Sequence, residues 1–461
     1  MRQVVLAEAD LPDFGMPDRV PEIPPEVYAD RVSELLSRME RDGLDRLVVY
    51  ADREHSANLA YLTGFDPRFE EAAMIVGPDD APALLVGNEC YGMAEAAPLP
   101  MRRHMFQDMS LPSQPRDKSQ PLDAILQAEG IVEGCRVGVI GWKDYGHPAK
   151  SDLPAYLIDA IRVAVGPTGV VRNAVDLLID AADGMRVVNE LEQLAFYEWA
   201  ACHTSSGVRN LLFGVEPGTT EREAVRLLEW NGMPLSCHLM LTAGDRASYG
   251  LLSPGDRPIQ RGDRFTVAYG IWGALNCRAG FVVAGPEELP AGAGGYVEKL
   301  VAPYFAAIAE WYEAMHIGQR GGVLFEIIDR HLGDPFFGIF LNPGHQIHLD
   351  EWVNSPIDRG SEIELRSGMA FQVDVIPATG TEWFTTNIED GIALADAVLR
   401  AEFAARYPDA WARIQARRSF MRDVIGIDLH EDVLPFSNIP AYLPPYLLDP
   451  TKVMTLQDQP R

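Results

Sequence analysis

From residue 264 to residue 286 the chain carries neither Asp nor Glu, although acids outnumber bases 67 to 39 over its 461 residues. Apolar and small residues fill that stretch, among them Phe265, Val267, Tyr269, Ile271, Leu275, Phe281, Val282 and Val283. A pattern of this kind belongs inside a sheet, and two β-rich blocks are read at 236–283 and 337–395. Helical segments are expected from Met185 to about Leu212, over 295–315 and over 321–332, the last opening on Gly321-Gly322. Strand blocks separated by helices that cover one face predict an α+β layer architecture.

Ahead of these blocks, a helix is expected from Pro25, followed by short apolar runs at Leu47–Tyr50, Ala72–Val76, Ala83–Val86 and Val137–Ile140. Strands alternating with helical stretches predict a smaller α/β domain. Thr220 and Glu223 have capping-box spacing. The expected division is an N-terminal arm over 1–26, an α/β domain over 27–180, a second domain over 181–396, and a C-terminal helix with a proline-rich tail over 397–461. A chain of this length, 47% hydrophobic, can bury two cores. Its net charge of −28 excludes the basic footprint that nucleic acid requires and gives no attraction to an anionic membrane. Five scattered cysteines without a CxxC pair suit a reducing cytoplasm. With no signal-like N-terminus and no long apolar run, a cytoplasmic protein with no membrane or nucleic-acid partner is expected.

Four polar blocks follow in order: Gly262-Asp263-Arg264-Phe265-Thr266-Val267, then Asn342-Pro343-Gly344-His345-Gln346-Ile347-His348-Leu349-Asp350, then Gly368-Met369-Ala370-Phe371-Gln372-Val373-Asp374, then Asn387-Ile388-Glu389-Asp390-Gly391. Their order and spacing resemble the catalytic half of the pita-bread family, which includes methionine aminopeptidase, Xaa-Pro aminopeptidase, prolidase and creatinase. In the first domain, Asn58-Leu59-Ala60-Tyr61-Leu62-Thr63-Gly64-Phe65 resembles a turn in the N-terminal domain of creatinase and Xaa-Pro aminopeptidase. The resemblance implies a creatinase-like N-terminal α/β domain followed by a pita-bread domain, and a homodimer.

For the metallopeptidases of that family the resemblance implies two divalent ions held by two Asp, one His and two Glu. The His position is His345, the first Glu position is Asp374 and the second is Glu389. Counting places the first Asp at Ala268 and the second at Ala279, or at Leu275 or Cys277 if the loop is shorter. Both aspartates are absent. Two further histidines of the family align with Leu251 and Trp352, while His348 is an added imidazole. The expected catalytic residues are therefore His345, Asp374 and Glu389, with His345 or His348 as proton shuttle. Tyr249, Leu251, Arg278, His348 and Trp352 are expected to line the substrate pocket, with Arg278 meeting a substrate carboxylate or neutralising Asp374 and Glu389.

These residues predict a hydrolase acting on a C–N bond of a small, amino-acid-like substrate without a dinuclear metal centre, as creatinase does without metal. No cofactor is expected. The alternatives are a mononuclear aminopeptidase or dipeptidase with one divalent ion at His345, Asp374 and Glu389, and a non-catalytic binding protein with a pocket closed by Trp352 and Leu251. A lyase of the same fold resembles the metal-bound pattern, against which the missing aspartates count.

Overall fold

Residues 2–458 are described by a computed structural model. The fold divides into two units, one spanning Ile23–Val187 and the other running from Val188 onward, joined by the N-terminal residues up to Glu22. The N-terminal arm is not merely extended. Its strand β1, Arg2–Glu8, pairs antiparallel along its whole length with the C-terminal strand Lys452–Asp458, so the two ends of the chain close one small sheet.

The Ile23–Val187 unit is α/β. Its strands are β2 (Arg46–Ala51), β3 (Ala72–Val76), β4 (Ala83–Val86), β5 (Arg102–Met105), β6 (Arg136–Ile140) and β7 (Val170–Asn173), in sheet order β5-β4-β3-β2-β6-β7. The four apolar runs read from the sequence are β2, β3, β4 and β6. Val48, Tyr50, Ile75, Leu85, Val137 and Val139 pack with Leu157 and Ile161 of the Ala155–Val165 helix into one core. The Asn58–Phe65 motif forms a short buried helix, Ala57–Thr63, ended by Gly64 at φ +71°. A left-handed residue in that place stops the helix, which is why glycine stands there.

The second unit is built on one antiparallel sheet of β8 (Met240–Ala243), β9 (Arg264–Ile271), β10 (Ala274–Phe281), β11 (His345–Gln346), β12 (Ala370–Asp374), β13 (Asn387–Leu394) and β14 (Val433–Pro435). The order is β11-β12-β13-β10-β9-β8, with β14 added against β13. The acid-free stretch is thus the β9–β10 hairpin. All eight residues of β10 and all eight of β13 are buried. The helices Leu191–Gly214, Ala302–Ala314 and Gly321–Leu332 follow the expected order, and the Thr220–Glu223 capping box is formed. The first begins six residues later than expected. Asn189 donates its backbone N–H to the Gly368 carbonyl instead of entering the helix.

The C-terminal region, expected as one helix with a proline-rich tail, begins with two helices, Ala397–Arg406 and Pro408–Phe420, followed by a π-turn over Met421–Ile425. Pro408 has no N–H to continue the first helix and instead starts the second. This region covers the Leu191–Gly214 helix, which is buried nearly all round and includes buried polar residues such as Gln193, Glu198 and Thr204. Glu198, 1% exposed, accepts from Arg413 at 2.7 and 2.9 Å and from Arg417 at 2.8 Å. Arg417 also donates to Asn438 Oδ1 and to Cys202 Sγ.

Removing one partner of a buried ion pair strands the other charge. Arg417→Met is expected to lower the unfolding free energy by about 3 kcal/mol, measured by urea denaturation. Breaking an exposed pair such as Arg422–Asp423 should leave the denaturation midpoint at the wild-type value.

Candidate functional site

Strand register sets five side chains of the second unit in one row. Met240 faces Ala268, Ala268 faces Cys277, Cys277 faces Glu389, and Glu389 faces Asp374. Residues opposite one another on antiparallel strands project from the same face. His345 pairs with Gln372, two residues from Asp374, so it belongs to that face as well. Gly344 makes the approach possible. Its φ is +114°, and a Cβ there would lie 3.0 Å from the Trp311 ring and 3.1 Å from the Gln372 carbonyl oxygen.

His345 is fully buried, and its Nδ1 lies 3.2 Å from the Gln346 carbonyl oxygen. A carbonyl only accepts, so Nδ1 carries a proton and Nε2 is the ring nitrogen turned toward the cluster. Three carboxylate oxygens surround that nitrogen: Glu351 Oε1 at 3.4 Å, Glu389 Oε1 at 3.6 Å and Asp374 Oδ2 at 3.8 Å. All are longer than an ordinary hydrogen bond, and Nε2 has no hydrogen-bond partner among the described residues. Trp352 stacks on the imidazole with ring centres 4.1 Å apart and planes at 18°.

Burying three carboxyls together raises their proton affinity. Asp374 is pushed up to about 8, by burial first and then by the Glu389 charge. Glu389 and Glu351 are raised for the same primary reason, burial. Cys277 donates its S–H to Glu389 Oε2 at 2.7 Å, and burial together with the neighbouring Glu389 charge holds its thiol well above the ordinary range. It is therefore a hydrogen-bond donor and not a thiolate.

The structure places the other sequence-derived residues as follows. Trp352 lies at the cluster. His348 is buried, but it packs edge-on against Tyr197 at 5.5 Å, and its Nδ1 accepts from the Leu349 N–H. Arg278 does not face Asp374 or Glu389. Being next to Cys277 on a strand, it points to the opposite side, where it holds Asp390 at 2.8 and 3.0 Å and donates to the Tyr442, Ile439 and Cys277 carbonyls. That pairing leaves it for neither a substrate carboxylate nor the cluster. Tyr249 and Leu251 are 74% and 69% exposed at a turn through Gly250, outside the buried cluster. A pocket closed by Leu251 is therefore not formed.

The two-ion centre implied for the fold does not fit these residues. Ala268 and Cys277 face each other in register, so of the counted positions Cys277 is the one beside Glu389. Met240, Ala268, Leu275 and Cys277 form an apolar cluster with Cys237 packed against it, and among the described residues no second set of carboxylates stands there. One ion does fit. The ligand atoms of His345, Glu351 and Glu389 lie within 4.8 Å of one another. Glu351 was missed in the sequence because the spacing argument runs from His345 directly to Trp352. The acidic pair Asp350-Glu351 beside that tryptophan was the available signal.

The Creatinase/Prolidase N-terminal domain family matches residues 31–141. Comparison with curated protein sequences finds no significant match. Among solved structures, the chain is similar to the prolidase from Pyrococcus horikoshii, at 18% identity and a TM-score of 0.61, over 79% of this chain and 95% of that one. It is also similar to dipeptidase PepE from Mycobacterium ulcerans, at 18% identity and a TM-score of 0.60, over 93% and 99%. A third likeness is to the X-Pro aminopeptidase from Thermotoga maritima, at 15% identity and a TM-score of 0.62, over 79% and 95%. No helix among the described residues is long and apolar enough to cross a membrane.

The raised Asp374 carboxyl has a consequence for stability. Between its ordinary value of 3.8 and about 8, the unfolded chain loses this proton while the folded chain keeps it. Stability therefore falls as pH rises through that window. In chelator-treated protein, Asp374→Asn is expected to melt above the wild type at pH 9 and to lose that advantage as pH approaches 4. Melting curves across the range check it; an equal offset at both ends would contradict it.

Proposed function

We propose that this protein, which has the pita-bread fold and a creatinase/prolidase-type N-terminal domain, hydrolyses a C–N bond in a small amino-acid-like substrate. The centre is His345, Glu351, Asp374 and Glu389. The observation that carries the reading is the ring of three carboxylate oxygens, 3.4 to 3.8 Å from one unpartnered imidazole nitrogen in a buried site. Glu351 and Glu389 favour a substrate with an ammonium or imino group, since opposite charges attract strongly where water is scarce. The likeness to a prolidase, a dipeptidase and an X-Pro aminopeptidase supports a dipeptide or similar compound.

The residues divide the proton work by environment. Asp374, which keeps its proton to about pH 8, is suited to protonate the leaving nitrogen. Glu351, with its side chain 27% exposed, reaches the solvent edge and is suited to take a proton from the attacking water. As the water oxygen bonds to the carbonyl carbon, the C–N bond breaks, one proton passes from water to Glu351, and one passes from Asp374 to nitrogen. Transfer of a proton from Glu351 back to Asp374 restores the starting state. His345 Nε2 stands at the centre of the three carboxyls, and Trp352 fixes the plane of its ring.

Purified protein is expected to release amino acids from a panel of Xaa-Pro dipeptides or N-acyl amino acids, read by mass spectrometry. His345→Ala is expected to lower kcat/KM by roughly 10³-fold or more while the circular dichroism spectrum stays unchanged. Failure of the wild type on the whole panel, or full activity in His345→Ala, would remove the reading.

A further inference from the structure

We propose that His345 Nε2, Glu351 and Glu389 bind one divalent first-row transition-metal ion, with Glu351 supplying carboxylate charge that the β9–β10 hairpin does not carry. The inference concerns the cluster of the proposed hydrolase and stands on geometry that does not depend on that reaction. Nδ1 is committed to the Gln346 carbonyl, so Nε2 is the nitrogen that faces three carboxyl oxygens. When the ring nitrogen and the carboxyls are unprotonated, lone pair and anionic oxygens repel one another. A shared proton would relieve it only by drawing an oxygen to within about 2.6–2.9 Å of nitrogen, and the three oxygens stand at 3.4, 3.6 and 3.8 Å.

A cation between them relieves the same repulsion at the distances seen. An ion about 2.1 Å from each donor in tetrahedral array separates its ligand atoms by about 3.4 Å. The separations of Nε2 from Glu351 and Glu389 are 3.4 and 3.6 Å. Glu389 is prepared for this role. Its Oε2 is held by the Cys277 S–H, while Oε1, the oxygen nearer His345, has no hydrogen-bond partner among the described residues. Asp374 Oδ1 is likewise buried and unpartnered, and Asp374 Oδ2, at 3.8 Å, is the next donor outward. The mononuclear set expected from the sequence is thereby altered, with Glu351 in the place given to Asp374.

No second ion joins the first, because the row continues from Glu389 into Cys277, Ala268 and Met240. Imidazole with two or three carboxylates suits Zn²⁺ or Mn²⁺ better than a soft, thiolate-seeking ion. The partly exposed Glu351 leaves an entry path, which a fully enclosed ligand set would lack.

The full chain, stripped with chelator and dialysed, is titrated with Zn²⁺ and separately with Mn²⁺. Elemental analysis is expected to give one ion per chain, with a raised melting temperature. Glu351→Gln should raise the Kd at least tenfold, Glu351→Asp should fall between, and Glu362→Gln, at an exposed ion pair, should match the wild type. Two ions per chain, no binding of either metal, or an unchanged Kd in Glu351→Gln overturns the proposal. Dipeptide turnover on the same samples separates it from the hydrolase reading. One bound ion without turnover upholds the site and removes the reaction, and turnover in protein that binds neither metal does the reverse.

Discussion

Concentrated negative charge inside a sheet is the constraint to which the second unit is fitted. Glu389 and Asp374 face each other in register and are 2% and 5% exposed. A buried carboxylate is costly unless it is paired. On the opposite side of the same strands the chain meets that cost with Arg278, which holds Asp390 while Ser437 and the Ala441 N–H complete its hydrogen bonds. Around His345 it supplies one imidazole for three carboxyls. Two adjacent residues, Glu389 and Asp390, thus have opposite solutions, a satisfied ion pair behind the sheet and an unbalanced cluster in front.

The rear solution supports the front one. Asn276 donates to the Glu389 carbonyl and to Asp390, and itself accepts from Thr204 of the Leu191–Gly214 helix. The carbonyls of Ile439 and Tyr442 receive Arg278. Residues 437–442, past the expected end of the catalytic-type domain, therefore brace β10 and β13 directly behind Cys277 and Glu389. The C-terminal extension is part of the scaffold that fixes the site, and the Glu198–Arg417–Asn438 bonds tie it to the same helix.

Much of this was legible in the sequence where local chemistry decides the outcome. Strands β2, β3, β4 and β6 of the first unit, the Gly321–Leu332 helix and the Thr220 capping box follow from apolar runs, glycine and capping preferences, whereas the edge strands β5 and β7 carry no such run. The grouping of His345, Asp374, Glu389 and Trp352 was what the resemblance to the pita-bread family implied. What escaped depends on sidedness and register. Whether Arg278 faces Asp374 or Asp390 is a matter of one residue's alternation along a strand. The choice among Leu275, Cys277 and Ala279 as the neighbour of Glu389 is fixed by pairing, not by counting. Glu351 lies on no regular element, so no periodicity marks it, and Tyr249 and Leu251 are turned outward by a bend that distance along the chain does not reveal.

The row through the sheet also gives the site its polarity. At one end stand Asp374 and Glu389 with His345 and Glu351 above them. At the other stand Ala268 and Met240, joined by Leu275 and Cys237. Where a two-ion enzyme would place anionic ligands, this chain has an apolar wall in contact with a protonated thiol. In the proposed reaction, the charged end would hold the amino group and the proton donors. The wall offers nothing to a second charge and favours an apolar side chain. The loss of acids from 264–286 therefore changes more than the number of ions the fold can carry, because it turns half of a charged pocket into a hydrophobic surface beside the half that remains.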